Sequence, residues 1–201
     1  MRKILLLMVI AVITVSFPAV SVPKERVLLK PDTLDSDIIF MRPDEIDPSL
    51  LPLDSIEDLH TTGIPPEIDL KTWRLEVFGE NVRNPLSLSY EELKAMNMVK
   101  KKAILICPSF FADYAEWEGV PLADILKLAR VKKDYKKVTF KAEDGYRTSF
   151  EKNEIKGKLL FLALRVNGQD LPKEHGFPVR LVAEDTLGGS WVKWLSSIQV
   201  D

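Results

Sequence analysis

Ala103-Ile104-Leu105-Ile106-Cys107-Pro108 governs the reading of the whole chain. A short, uninterrupted apolar run that ends at a cysteine and a proline reads as a strand buried on both faces, which delivers Cys107 to a loop. Cys107 is the only cysteine in the sequence. It has no internal disulfide partner, so the fold must stand on its core. Taken alone, a cysteine at the end of an apolar strand is either a small buried hydrophobe or a thiol with chemistry to do.

On the C-terminal side, Pro121 opens a helix with Leu122, Ile125, Leu126 and Ala129 on one face. Val138 and Phe140 lead to the turn signal Asp144-Gly145, after which Tyr146, Thr148 and Phe150 alternate as a strand does. Leu159 to Val166 is another apolar run, closed by the hairpin signal Asn167-Gly168. Val179, Leu181 and Ala183 predict a further strand, Gly188-Gly189 breaks it, and Val192, Trp194, Ile198 and Val200 predict the last. On the N-terminal side, Ser89 and Glu92 form a capping-box pattern ahead of Leu93 and Met96. Before that, Trp73, Leu75 and Val77 alternate up to Gly79. Strands outnumber helices and the order lacks a regular strand-helix-strand rhythm, which predicts an α+β domain of mixed sheets with few helices.

The chain has 201 residues, enough for one well-packed domain plus appendages, and its 28 basic residues nearly balance 30 acidic ones. That balance argues against a nucleic-acid partner. Arg2 and Lys3 precede an apolar run and Ser16-Phe17-Pro18-Ala19-Val20-Ser21, the layout of a secretory signal peptide over residues 1–21. The segment is either cleaved after Ser21 or kept as a short membrane anchor, the only membrane association expected. Either way the protein is expected outside the cytoplasm. Residues 22–58, rich in proline and acidic side chains, read as an extended arm or linker, with Ile38 to Met41 and Leu50-Leu51 as apolar anchors. The globular domain is expected over 59–201.

The segment from Cys107 through Trp117-Glu118-Gly119-Val120-Pro121-Leu122 resembles the metal-ligand loop of the sulfite oxidase and periplasmic methionine-sulfoxide reductase superfamily. There a cysteine precedes a Trp-x-Gly-x-Pro-Leu segment that opens a helix. His175-Gly176-Phe177-Pro178-Val179-Arg180-Leu181-Val182, followed by Gly188 and Trp191-Val192-Lys193-Trp194, resembles that family's pterin-holding segments. The resemblance spans about His60 to Val200 and implies a sulfite-oxidase-type fold with a molybdenum-molybdopterin cofactor. Cys107 would ligate molybdenum as a soft thiolate donor. His175, Arg180, Gly188, Trp191, Val192 and Lys193 would hold the pterin and its phosphate, with guanidinium and ammonium suited to the phosphate oxygens. Gly188 and Gly189 would let backbone approach a planar ligand. Without the resemblance, Arg180 and Lys193 read as outward residues of edge strands and His175 as a turn residue.

Asp144 matches an acidic residue that accepts hydrogen bonds from the pterin ring, although Asp144-Gly145 is equally a plain hairpin turn. His60-Thr61-Thr62-Gly63 stands where sulfite oxidases carry an Arg-Asn-His loop. His60 or Thr61 would touch the cofactor, while the arginine that binds an anionic substrate is missing; read alone, the stretch is a solvent-facing loop. Asp113 and Tyr114 are the nearest side chains expected to meet a substrate, with Tyr114 joining Cys107 as a catalytic candidate. The family's active-site tyrosine and further anion-binding residues fall past Asp201, so a neutral S-oxide or N-oxide is expected at least as much as a sulfite-like substrate. Arg2-Lys3 is not the twin arginine of exported molybdoenzymes, so a chain crossing unfolded would acquire its cofactor outside or do without. The implied activity is oxygen-atom transfer to or from a small molecule, with a cytochrome or a membrane quinone-linked protein as redox partner. The other reading is a non-catalytic extracytoplasmic binding module that keeps the fold without molybdenum.

Overall fold

The computed structural model describes residues 25–201. The signal-peptide or anchor segment lies outside the described residues. Among the described residues no helix is long and apolar enough to cross a membrane.

The architecture is α+β, as expected. Strand β1 (Val27–Leu28), helix α1 (Asp35–Ile38) and strand β2 (Ile46–Asp47) make up the arm. Strands β3 (Leu75–Phe78) and β4 (Leu86–Leu88) and helix α2 (Tyr90–Lys94) follow, then β5 (Val99–Cys107), β6 (Phe111–Pro121) and helix α3 (Leu122–Leu128). Strands β7 (Lys137–Ala142) and β8 (Arg147–Glu151), helix α4 (Lys152–Ile155), and strands β9 (Leu160–Val166), β10 (Gln169–Asp170), β11 (Arg180–Ala183) and β12 (Leu195–Val200) complete the chain. One sheet runs β5-β6-β9, with β10 and β11 both paired to the far side of β9. The other runs β4-β3-β12-β7-β8, antiparallel except for β3 alongside β12. The main core holds buried side chains of both sheets, including Trp73, Leu75, Trp117, Phe140 and Phe161.

Local signals explain several boundaries. Ser89 caps α2: its backbone N–H donates to Glu92 at 2.8 Å, and its hydroxyl accepts the Glu92 backbone N–H at 3.2 Å. Asn167 and Gly168 both adopt positive φ, 48° and 78°, the geometry of a tight hairpin between β9 and β10.

The hairpin β5–β6 explains the apolar run that opened the sequence reading. Paired residues in the ladder share a face, so Ala103, Leu105 and Cys107 lie with Ala115, Asp113 and Phe111, while Ile104 and Ile106 lie with Tyr114 and Ala112. The first set faces the main core and the space beside it. The second is covered by Leu29, Ile38 and Ile46 of the arm, which form a separate cluster with Ile104, Ile106 and Tyr114. Both faces of the run are therefore dry. Ile38, Ile39, Met41 and Leu51 anchor the arm, whereas Phe40 and Leu50 remain exposed. Asp54 pins it further, donating its backbone N–H to the Tyr114 carbonyl at 2.9 Å and accepting the Tyr114 N–H on its carboxylate at 2.6 Å.

Three local expectations need correcting. Phe111 to Pro121 is an eleven-residue strand, not a loop; its acidic residues hide the alternation, but each is accommodated. Asp113 bonds to His60 at 2.8 Å, and Glu116 and Glu118 lie 3.4 and 3.8 Å from the Lys100 ammonium. The last strand begins at Leu195, because Trp194 turns the chain with φ of 51°. All four residues of β11 are buried, so Arg180 is not an outward residue.

Candidate functional site

At the Cys107 end of the β5–β6 hairpin lies a cavity of about 280 Å³. Its walls come from four places distant in sequence: the hairpin end (Leu105, Cys107, Phe111), the loop at His60, Thr62 and Gly63, the β7–β8 turn (Asp144, Tyr146), and the stretch Arg180 to Trp194. The two C-terminal motifs are tied together by backbone. The Leu181 N–H donates to the Val192 carbonyl at 2.7 Å and the Trp194 N–H to the Gly176 carbonyl at 3.2 Å.

Arg180 is the most unusual side chain of the site. It is 7 % exposed, and its guanidinium lies 5.0 Å from the Trp117 ring and 5.5 Å from that of Trp191. One donor reaches the His175 carbonyl at 3.2 Å, but Nε is buried without a partner. Burial pulls its pKa well below the ordinary arginine value, down to about 10. A cavity-lining cation with an orphaned buried donor is shaped for an acceptor that the chain itself does not provide.

Lys193 donates to the carbonyls of Thr62 and Glu174, the latter at 3.1 Å, and sits 4.4 Å from the Trp194 ring centre. Burial, reinforced by Arg180, lowers its pKa to about 8. The site thus concentrates two positive groups in a partly dry pocket, a setting that favours phosphate. Asp144 accepts the Tyr146 N–H on its carboxylate at 2.9 Å, closing the turn, and it lines the cavity. Gly188 also lines it. A Cβ there would stand 3.1 Å from Leu105 Cδ2 and 3.2 Å from the Ile106 carbonyl, so the 188–190 turn packs directly on the strand that carries Cys107. Trp191 adds a second buried orphan, its Nε1.

Cys107 is half-buried on the wall, and burial, then the nearby Asp113 carboxylate, push its thiol pKa up. The apo chain therefore holds a thiol. A bound metal would have to draw off the proton to make the thiolate ligand. Among the described residues no cluster of three or more His, Cys, Asp or Glu could hold a metal ion. One cysteine is thus what the protein offers a metal here, and the remaining donors would come with a cofactor.

The cavity brings together Cys107, His60, Asp144, Arg180, Gly188, Trp191 and Lys193. Four candidates stand elsewhere. Thr61 is exposed, and its neighbours Thr62 and Gly63 take its place on the wall. His175 is buried behind Arg180, its pKa lowered by burial and by the Arg180 and Lys193 charges. Val192 is fully buried and contributes a backbone acceptor. Tyr114 points to the arm side of the hairpin, opposite Cys107, with its ring against Ile104 and Ala112. Strand alternation removes it from the site. Asp113, on the Cys107 side, is 4 % exposed and binds His60 instead of facing the cavity as an open acid. Tyr146 was not anticipated as a wall residue, and Trp194 only as the end of the Trp191-Val192-Lys193-Trp194 segment. Tyr146 donates its hydroxyl to the Gly189 carbonyl at 2.5 Å, a contact that no local sequence pattern announces.

A family model described as an oxidoreductase molybdopterin-binding domain matches residues 61–201. The chain belongs to this family. The family's cofactor, molybdenum-molybdopterin, fits the residues present: a soft sulfur donor, two cations and a backbone cradle line one cavity, and the Arg180 and Trp191 side chains on its wall each carry a buried donor without a partner. An uncharacterized oxidoreductase of Bacillus subtilis is 34 % identical over 70 % of this chain and 71 % of its own length. A putative protein-methionine-sulfoxide reductase subunit of Azospira oryzae is 32 % identical over 67 % of this chain and 51 % of its own, and rat mitochondrial sulfite oxidase 30 % over 68 % and 30 %. The solved structure of the sulfane dehydrogenase SoxCD from Paracoccus pantotrophus superposes with a TM-score of 0.62 at 26 % identity, covering 68 % of this chain and 40 % of that one. The chain thus spans about half or less of the length of these last three relatives.

Proposed function

We propose that the protein is a molybdopterin-dependent oxidoreductase that moves an oxygen atom to or from a small substrate outside the cytoplasm. The observation that carries this is the buried Arg180 guanidinium, with its unpartnered Nε, facing the same cavity as Cys107. Cys107 would ligate the metal, Arg180 and Lys193 would hold the cofactor's phosphate, and Asp144 would accept hydrogen bonds from the pterin ring. Bound there, the cofactor supplies the two-electron oxygen-atom chemistry, and the protein supplies ligation, orientation and a shaped, partly dry pocket. Its electrons would pass to or from a separate redox protein, a cytochrome or a membrane quinone-linked protein.

A neutral S-oxide or N-oxide suits the pocket better than sulfite. Arg180 and Lys193 are the only lysine or arginine among the described wall residues, and both are assigned to the phosphate. Among the described wall residues no further lysine or arginine remains for an anionic substrate. Export is supported by Arg2-Lys3 and the apolar run behind them. The test is metal and pterin analysis of protein purified from its native host, followed by turnover with dimethyl sulfoxide, trimethylamine N-oxide and sulfite. About one molybdenum per chain, lost in Cys107→Ser, is expected. Consistently metal-free protein would leave the binding-module reading in its place.

A further inference from the structure

His60, a candidate for cofactor contact, is paired with Asp113, to which the cofactor reading gives no role. His60 lies just ahead of the family match over 61–201, and Asp113 sits on β6 in register with Leu105. The imidazole Nδ1 is 2.8 Å from Asp113 Oδ1, and the His60 backbone N–H donates to both carboxylate oxygens, each at 3.2 Å. Its ring stacks on Phe111 with centroids 4.7 Å apart and planes 7° off parallel. The imidazole is therefore fixed in position by a carboxylate and in tilt by an aromatic face.

Asp113 is a buried carboxylate, and the His60 backbone N–H already donates to both of its oxygens. A neutral imidazole beside such an acceptor carries its proton on the nitrogen that faces it, which leaves the other nitrogen with a lone pair. His60 lines the cavity, and among the described residues Nε2 has no hydrogen-bond partner.

We propose that Asp113 is a positioning residue that holds His60 as the Nδ1–H tautomer, so that Nε2 accepts a hydrogen bond from an N–H or O–H donor of the molecule bound in the cavity. This rests on the proposed function for the identity of that molecule, but the tautomer is a property of the chain alone. The pair divides the labour as a carboxylate-imidazole couple does in hydrolases: the buried acid chooses the tautomer and the imidazole meets the ligand. The cavity would then combine cations for phosphate on the Arg180 side with an acceptor for a donor group on the His60 side. A ligand without an N–H or O–H at that point would leave the imidazole idle.

Imidazole nitrogen NMR on histidine-labelled protein tests this directly. The chain has two histidines, and the His60→Gln variant assigns their signals. Wild-type His60 is expected as Nδ1–H with an unprotonated Nε2, and Asp113→Asn, whose amide can donate to Nδ1, is expected to shift it toward Nε2–H. Asp113→Glu should restore the wild-type tautomer. In cofactor-loaded protein, Asp113→Asn should weaken pterin retention about tenfold, the effect of one hydrogen bond, and His60→Gln at least as much. An Nε2–H tautomer in the wild type overturns the proposal, and this needs no variant to fold. So does an unchanged tautomer in folded Asp113→Asn, or full pterin retention once the tautomer has switched. Wild-type protein that never binds pterin or molybdenum would instead refute the proposed function, with the tautomer still readable.

Discussion

Replacing Arg180 by methionine separates what the cavity needs from what the fold needs. Burial lowers the Arg180 pKa well below the ordinary arginine value, to about 10, and a difference of that size corresponds to about 3 kcal/mol against folding with the group charged. The sign follows from the direction. A cation with a depressed folded pKa is penalised fully below about 10, and the penalty is relieved as pH rises from there toward the ordinary arginine value. Two aromatic neighbours and the His175 carbonyl return about 1 kcal/mol each, so the side chain contributes little net stability to the apo chain. Methionine is similarly long, apolar and adaptable, and needs no partner for Nε. The expected result for Arg180→Met is an apo chain between unchanged and about 2 kcal/mol more stable, a rise in Tm of up to about 6 °C. Pterin retention should fall about 30-fold or more, since a charge-assisted contact to phosphate is lost. Thermal melts of metal-free protein and pterin fluorescence after gel filtration measure the two quantities. If Arg180 were instead a structural partner for Asp113, its loss would strand a buried carboxylate at a cost of about 3–5 kcal/mol. A Tm drop of that order with pterin retained would refute the assignment.

Gly119→Ala should be severely destabilising, by about 3 kcal/mol, because the new Cβ would lie within 2.5 Å of the Ala163 Cα and collide with backbone that cannot rotate away; urea unfolding gives the value. Lys193 carries a pKa of about 8, so its charge is lost as pH rises through that value: pterin retention should weaken there, while apo stability should rise from about 8 toward the ordinary lysine value. Parallel pH series on wild type and Lys193→Met check this, the variant losing both trends. Cys107 in metal-free protein should react with iodoacetamide more slowly than an ordinary cysteine, and faster in Asp113→Asn, because burial and that carboxylate hold the thiol protonated. Equal rates in wild type and a free cysteine would contradict it.

Much of the fold was legible because each strand with one dry face shows its period. Leu75 and Val77, Val138 and Phe140, and Tyr146 to Phe150 follow the two-residue rhythm, and Asp144-Gly145 and Asn167-Gly168 mark the turns between ladders. β6 escaped detection for a physical reason. Its acidic residues are matched by His60, on a loop far away in sequence, and by Lys100 on the neighbouring strand, so they read as loop polarity when seen alone. The arm was underestimated for a related reason. Leu29, Ile38 and Ile46 are spaced too widely to show a period, yet together they cover the outer face of β5–β6. The wall residue Tyr146 had no signal beyond apolar patterning, and Trp194 none beyond its place in the Trp191-to-Trp194 segment, since the turn at Trp194 and the Gly189 acceptor become visible only in three dimensions.

Within the motifs that pointed to the site, the residues separate into a wall and its support. Arg180 and Lys193 line the cavity, while His175 and Val192, a few residues away, point into the core and hold the wall by backbone: the His175 carbonyl receives the guanidinium and the Val192 carbonyl receives the Leu181 N–H. The β5–β6 hairpin repeats the division by alternation, with Cys107 and Phe111 on the cavity side and Ile106 and Ala112 beneath the arm. A motif of this kind records the whole construction of a pocket, including residues that never meet the ligand. Substitutions at wall positions should therefore release cofactor from an intact fold, and substitutions at support positions should do so only by loosening the core. The unpartnered Nε of Arg180 and Nε1 of Trp191, set against the fully buried Val192 that follows Trp191 in the chain, show the two demands side by side: wall residues keep donors unsatisfied while a support residue closes the core.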